Sequence, residues 1–449
     1  MDGNVLPSKL ITRLSKAADI VRSHDYVQVF THYDADGLSS AGILTNTLMR
    51  AGKGFTVTTF TTLDEETMEV VKSCEAECII IADLGASYIK ELEELKKDII
   101  VLDHHTLRDD SETICYANPH MFGVDGMIGA CGATMSLLFS VTLDENNWDL
   151  VQIAMAGVAG DKQHLNGLTG FNTYILAEGE RRGYVKPVSG SMIPSGVLSK
   201  SLLTGVEPFI RGVSGDEVAV MKLLNDARIE PGSQYVLLSE EERRRLSSMI
   251  SVKLVEQGVP TATMDELMRT RYHLTDWGMD AETLAELLDA CGRMKLQGMG
   301  IAVCTGSRDA IAKANTLRDE YNSSILQAVL EVDSNGVCQM ENIQYIDTSE
   351  SGFTGVICGV VMRYIGNPEK PTIGVNSSEE KIKLSARATH HLLDKGVDLA
   401  SALRDSCASV GGEGGGHRIA SGGSIKAGTE KEFLANLDRI VGAQIRNAR

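Results

Sequence analysis

The first part of the chain alternates two hydrophobic patterns. "DYVQVFT" (25–31), "GFTVTTFTT" (54–62), "CIIIAD" (78–83) and "DIIVLD" (98–103) are short strand-like runs rich in Val, Ile and Thr. Between them lie residues 38–51, the acidic amphipathic "LDEETMEVVKSC" (63–74) and "SYIKELEELKK" (87–97), which read as helices. Short β-branched runs separated by helices of about 10–15 residues predict βαβ units and a parallel sheet with both faces buried. "CGATMSLLFSVTL" (131–143) and "WDLVQIAMAGVAG" (148–160) predict two further helices. The opening "MDGNVLPSKLITRLSKAADIV" carries charges inside its apolar pattern and no signal-peptide core, so it reads as a first amphipathic helix.

The pattern changes near residue 180. A Gly-, Ser- and Pro-rich stretch ending in "LTGVEPFIRGVSG" (203–215) reads as a linker with short elements. Helices follow at "SEEERRRLSSMISVKLVEQG" (239–258), where Ser239 is a suitable cap, and at "DAETLAELLDACGRM" (280–294). A second α/β region begins near Gly298 with "GMGIAVCTG" and holds strand-like "GVCQMENIQYI", "TGVICGVVMRYI" and "KIKLSARAT". The expected fold class is α/β. A parallel-sheet domain (1–180) leads through a linker and largely helical middle segment (181–297) to a smaller α/β C-terminal domain (298–449).

Bulk properties narrow the class. The 449 residues fit two to four domains at roughly 100–200 residues each. No run of about 18 apolar residues exists, so a membrane partner is not expected and a cytoplasmic location is. The nine cysteines form no CxxC pair; Cys74 and Cys78 read as core positions rather than zinc ligands. A net charge of −18 argues against a generic nucleic-acid binder, though acidic clusters that hold divalent cations add to that sum.

The chemistry gathers at strand ends. His32, Asp34 and Asp36 alternate in "FTHYDADG", so an extended backbone would aim all three at one face. Asp83 ends the third strand-like run, and Asp103 ends the fourth and opens "DHH" with His104 and His105. Ligands of open parallel sheets bind beyond the carboxyl ends of the strands. Asp161 follows an apolar helix, where Gly160 permits close approach. Any one such Asp could be a helix cap, but Asp34 and Asp36 cannot both cap one helix. The set is rich in Asp with a few His and no thiolate, which suits Mn²⁺ or Mg²⁺. No P-loop is present; the glycines of "GMIGACGAT" (126–134) could approach a substrate phosphate.

"HYDADG", "IADLG", "VLDHH" and "GVAGD", in this order, resemble the four motifs of the DHH phosphoesterases. "GGEGGGHRIASGGSI" (411–425), with "KLSARAT" before it, resembles the glycine-rich signature and upstream Arg of the DHH-associated C-terminal domain. "LTGVEPFIRGVSG" and the overall length are most similar to archaeal RecJ-like proteins, including the GINS-associated nuclease. The resemblance implies a binuclear site for two divalent cations, Mn²⁺ ahead of Mg²⁺. One ion would take His32, Asp34 and Asp83, and the other Asp36, Asp83, His104 and Asp161. His105 would contact the scissile phosphate, and Asp103 would orient its neighbours. Arg387, His417 and the flexible backbone of Gly414, Gly415 and Gly416 would hold a phosphate or terminal nucleotide.

The function implied is metal-assisted hydrolysis of phosphodiesters by a RecJ-like exonuclease on single-stranded DNA or RNA, acting with GINS and replicative helicase proteins as partners. The alternatives are a phosphodiesterase for nanoRNA, pAp or cyclic dinucleotides, and a non-enzymatic replisome scaffold. The complete ligand set favours an enzyme.

Overall fold

The computed structural model describes residues 6–107, 109–111, 113–190, 192–349, 352–377 and 381–448. The chain forms two compact units, Met1–Ser195 with Met268–Asp319, and Gly196–Leu267 with Glu320–Arg449.

The first unit is built on a parallel sheet of β1 (Tyr26–His32), β2 (Gly54–Phe60), β3 (Cys78–Ala82), β4 (Asp98–Leu102) and β5 (Cys115–Ala117). Their order is β2-β1-β3-β4-β5, so the direction of winding reverses between β1 and β3. Helices cover both faces, with α1 (Ser8–Ser23), α2 (Ala35–Arg50), α3 (Glu65–Ser73), α4 (Ile89–Glu93), α5 (Gly132–Leu143), α6 (Val151–Gly160) and α7 (Gly170–Arg181) in chain order; α2, α3 and α4 are the crossovers between strands. Alternate strand residues feed separate cores. Val27, Val29, Ile80, Ile100 and Leu102 pack with α1, α2, α5 and α6. Phe30, Ile79, Ile81, Ile99 and Val101 pack with α3 and α4. Nearly all of α5 and α6 is buried, which explains their lack of a polar face. Residues 1–5 of the expected first helix lie outside the described residues.

The stretch read as a linker contributes β6 (Val185–Val188), which pairs antiparallel with β7 (Arg271–Leu274); β7 in turn pairs with β8 (Met279–Asp280). The helices Ala281–Arg293 and Gln297–Cys304 bury Leu284, Leu288, Cys291 and Val303 in the core of the first unit. The compact units therefore divide the expected middle segment and take residues 298–319 into the first unit. The helix Arg308–Asn335 runs across that boundary in sequence.

The second unit carries a mixed six-stranded sheet. Its strands are β9 (Cys338–Gln339), β10 (Gln344–Asp347), β11 (Thr372–Asn376), β12 (Lys381–Arg387), β13 (Glu413–Gly416) and β14 (Ala420–Lys426), in the order β13-β14-β12-β11-β10-β9. Ile373, Leu384, Leu403, Phe433 and Leu437 centre its core, beneath the helices Leu399–Ser409 and Glu430–Asn447. "TGVICGVVMRYI", expected as a strand, is the helix Thr354–Tyr364. Its β-branched composition favours a strand locally. Its buried positions Ile357, Cys358, Val361 and Tyr364 follow helical spacing, and packing decides in favour of the helix.

Candidate metal centre

β1 ends at His32 and the chain turns directly into α2. Asp34 caps that helix, its Oδ1 accepting a hydrogen bond from Gly37 N at 3.0 Å, while its Oδ2 lies 2.9 Å from His32 Nδ1. Asp36 is already in the first helical turn. The three side chains therefore do not project from one extended strand, as the alternation led us to expect; a strand-to-helix turn gathers them. A Cβ on Gly37 would stand 2.3 Å from the His32 carbonyl oxygen, so this turn needs glycine.

Asp36 is buried against the start of α5. Its Oδ2 accepts from Gly132 N at 2.6 Å and its Oδ1 from Ala133 N at 2.9 Å, the favourable end of a helix for an anion. The small residues around it are sterically required. A Cβ at Gly132 would meet Asp83 Cβ at 2.6 Å, and one at Gly157 of α6 would meet Asp36 Oδ1 at 2.5 Å. Gly132 and Ala133, the first two residues of α5, thus seat a carboxylate of this chain.

Asp83 follows β3 in a left-handed conformation, φ +57°, which costs about 1–2 kcal/mol for an L-residue and aims its carboxylate between two imidazoles. Asp83 Oδ2 is 3.6 Å from His32 Nδ1, and its Oδ1 is 3.2 Å from His104 Nε2. Asp161, at the end of α6, places Oδ2 3.4 Å from His104 Nε2, and Asp36 Oδ2 is 3.8 Å from the same atom. Beside the cluster of Asp83, Asp103, His104 and His105, two candidate ligand groups stand out. His32, Asp34 and Asp83 form one and Asp36, His104 and Asp161 the other, each with its ligand atoms within 4.8 Å of one another. The two oxygens of Asp83 face one group each.

Backbone carbonyls orient both rings. His32 Nε2 is 3.1 Å from Thr61 O, and His104 Nδ1 is 2.8 Å from Gly126 O. With Nε2 of His32 and Nδ1 of His104 donating to those carbonyls, His32 Nδ1 and His104 Nε2 would offer lone pairs to a cation that replaced their protons, the arrangement by which a protein fixes a metal-ligating imidazole.

Asp103 does different work. Its Oδ1 accepts from His104 N (2.7 Å), His105 N (3.2 Å) and His105 Nδ1 (2.8 Å), and its Oδ2 from Ala86 N (2.7 Å). With both oxygens occupied, it holds the His104–His105 turn against the loop after β3. His105 is half-exposed, and its bond to Asp103 raises its pKa, so the ring is biased towards a cation that can donate from Nε2.

The electrostatics show how strongly this cluster calls for positive charge. Burial opposes charging of His32, yet hydrogen bonds to Asp34 and Asp83 raise it to about 11. Burial likewise opposes His104, and Asp83, Asp161 and Asp36 raise it nonetheless. Asp83 would be raised by burial, but His104 and His32 hold it well below the usual carboxylate range. Burial pushes Asp161 up to about 7, with repulsion from Asp83 and Asp34 countering the attraction of His104. Carboxylates this close stay ionised together only beside cations; otherwise one of them keeps its proton. Hard oxygen donors with two imidazoles and no thiolate ligand fit Mn²⁺ or Mg²⁺.

The expected substrate-holding residues lie in the second unit. Gly414, Gly415 and Gly416 are not a flexible loop; they belong to β13 and pair with Gly423, Gly422 and Ser421 of β14. Gly414 faces the helix Leu399–Ser409, where a Cβ would stand 2.8 Å from Cys407 Sγ, and this close packing explains the ordered strand. Gly415 turns to the opposite face and borders open space. Opposite residues in antiparallel strands share a face, so Gly415, Gly422 and Ser385 form one row, with Arg387 and Ala420 in the next row on that face. Arg387 reaches the start of the helix Thr354–Tyr364, where a Cβ on Gly355 would lie 2.6 Å from Arg387 Nη2. His417 is exposed in the turn between β13 and β14, its N donating to Ala420 O at 2.9 Å.

Sequence reasoning did not find Thr61, Ala86, Gly126, Gly132 or Ala133 as participants. They act through backbone groups, for which residue type carries almost no signal; the glycines before α5 were the one visible hint.

A family model for the DHH family, N-terminal domain, matches residues 26–159, and one for the DHHA1 domain matches residues 341–443. An uncharacterized protein of Methanocaldococcus jannaschii is 32% identical over 451 residues, spanning 98% of this chain and 99% of that protein. The crystal structure of exonuclease RecJ bound to manganese is similar in fold, with TM-score 0.61 and 15% identity over 98% of this chain and 97% of that one. CDC45 from Entamoeba histolytica is similar with TM-score 0.65 and 10% identity over 97% of this chain and 99% of that one. At such identities the likeness is one of fold. Among the described residues no helix is long and apolar enough to cross a membrane.

Proposed function

From the premise that this chain belongs to the DHH family, we propose that it is a divalent-metal-dependent phosphodiesterase acting as an exonuclease on single-stranded DNA or RNA. The observation that carries this reading is Asp83, whose two oxygens face two separate ligand groups. His32, Asp34 and Asp83 would hold one ion, and Asp36, Asp83, His104 and Asp161 the other. Two divalent ions supply Lewis acidity, making water more acidic and neutralising charge on the phosphoryl group.

The remaining work falls to this chain. His105, oriented by Asp103, donates from Nε2 to a non-bridging phosphoryl oxygen. Arg387 presents a planar fork to a phosphate, which lysine cannot imitate, and Gly415 leaves the surface beside it bare. The RecJ fold in its manganese-bound form supports the choice of ion and substrate class. A cytoplasmic location and association with GINS and replicative helicase proteins complete the reading.

The test is digestion of end-labelled DNA and RNA single strands with Mn²⁺, with and without EDTA. Stepwise shortening that EDTA abolishes is the expected result. A length series in which only di- and trinucleotides are consumed would move the assignment to a short-substrate phosphodiesterase. No hydrolysis in Mn²⁺, with GINS binding retained in EDTA, would leave a scaffold.

A further inference from the structure

A chain of buried amides and hydroxyls stands behind the Asp36–His104–Asp161 group. Gln163, two residues past Asp161, is 5% exposed, and Asn172 and Thr134 are fully buried. Gln163 Nε2 donates to Gly126 O at 2.9 Å and to Ala130 O at 3.1 Å, and lies 3.4 Å from Asp161 Oδ2. Gln163 Oε1 accepts from Asn172 Nδ2 at 2.7 Å, and Asn172 Oδ1 accepts from Thr134 Oγ1 at 2.6 Å. The Asn172 backbone closes the circuit by donating to Gly129 O at 3.0 Å. The amide can point only one way. Flipped, Gln163 would set its oxygen against two carbonyls and its NH₂ against that of Asn172.

The two carbonyls that Gln163 holds belong to the loop on which the second ligand group depends. Gly126 O is also the partner of His104 Nδ1. The loop continues into Gly132 and Ala133, whose amides grip Asp36. Asp161 is linked to Gln163 both along the chain and across 3.4 Å. The first group has separate supports, the Thr61 carbonyl for His32 and the Gly37 amide for Asp34.

We infer that Gln163 is a positioning residue that sets His104, Asp36 and Asp161 as one unit, and so governs occupancy of the second metal position while leaving the first untouched. This rests on the binuclear centre proposed above. Losing the amide strands the Ala130 carbonyl and the Asn172 NH₂ and leaves the Gly126 carbonyl with His104 alone; unmet buried polar groups cost free energy that a shift of the loop relieves. Partners that orient a ligand typically change metal affinity by about 10–100-fold.

The test is Mn²⁺ titration of the full-length protein, followed by electron paramagnetic resonance, with circular dichroism and thermal melting to verify folding. Wild type should bind two ions and show the signal of a spin-coupled pair; binding of none would reject the metal centre itself. Gln163→Met, close in shape but without the amide, should keep one position at wild-type affinity, weaken the other about 10–100-fold and lose the coupled signal at stoichiometric metal. Thr134→Val, which removes only the outer hydroxyl, should shift the same position less, and Thr134→Ser should restore it. A folded Gln163→Met protein with both positions at wild-type affinity, or with both weakened alike, overturns the inference. If Gln163→Met does not fold, an unchanged second position in Thr134→Val does so.

Discussion

Asp83 combines a left-handed backbone with a carboxylate whose two oxygens face different imidazoles, so on the proposed function its side chain should be indispensable. Asp83→Ala is expected to remove nearly all hydrolysis, as is Asp36→Ala. Alanine tolerates φ +57° poorly, and Asp83→Asn, better suited to that conformation, should lose activity while melting closer to wild type. Hydrolysis of single strands by either Asp83 variant near the wild-type rate in Mn²⁺ would reject the shared-ligand assignment. Asp161 gives a test in the absence of metal. Folding raises its carboxyl from the usual 3.8 to about 7. Such a group contributes stability below its unfolded value and loses it as pH rises through the folded one. In EDTA, Asp161→Asn should therefore melt close to wild type at pH 4 and above wild type at pH 8. Mn²⁺ binding to wild type should weaken as pH falls below about 7, because a proton then competes for that oxygen. These residues were legible as candidates because three strand-like runs and one apolar helix ended in Asp or His. Their partners were not, since Thr61 and Gly126 contribute only carbonyl oxygens.

At the scale of elements, α5 and α6 form the wall against which the carboxylates lie, and small residues set its distance. Gly157→Ala would place a Cβ 2.4 Å from Ala133 Cβ and 2.5 Å from Asp36 Oδ1. Overpacking of this kind costs about 1–3 kcal/mol, so we expect a lower melting temperature together with weaker Mn²⁺ binding. Gly298→Ala is the control, lying in the helix Gln297–Cys304 with nothing within 4 Å of its Cβ position. It should melt at or slightly above wild type, since alanine favours a helix interior. If both variants bind Mn²⁺ as wild type does, the close approach of α6 is not needed by the site. The expected capping of the helix Glu240–Gln257 by Ser239 is present as a reciprocal box with Glu242, because capping is local and follows from residues three apart. The failures share one cause. Thr354–Tyr364 and Gly414–Gly416 are settled by what packs on them, and neither a β-branched run nor a glycine run states its neighbours.

Across the whole molecule, the proposed metal ligands and the Arg387 face belong to different compact units, so their effects should separate. Arg387→Ala and His417→Ala are each expected to lower kcat/KM on oligonucleotides while Mn²⁺ content stays wild type. For a charge-assisted contact the loss is about 1.5–3 kcal/mol, or roughly one to two decades in rate constant. Unchanged kinetics in both variants would place the substrate clamp elsewhere. Single strands should be cut much faster than blunt duplex, with binding weakened by salt; equal rates would count against a site that needs an unpaired strand. The sequence by itself determined the parallel sheet, the order of its strand-like runs and the acidic and imidazole side chains at their carboxyl ends. Those features follow from periodicity and residue type, which are written locally. Only the tertiary structure decided that winding reverses between β1 and β3, that residues 281–304 complete the core of the first unit, and that Asp83 faces two ligand groups at once. Each depends on contacts between segments far apart in the chain, where free energy comes from mutual burial and paired polar groups rather than from any single stretch.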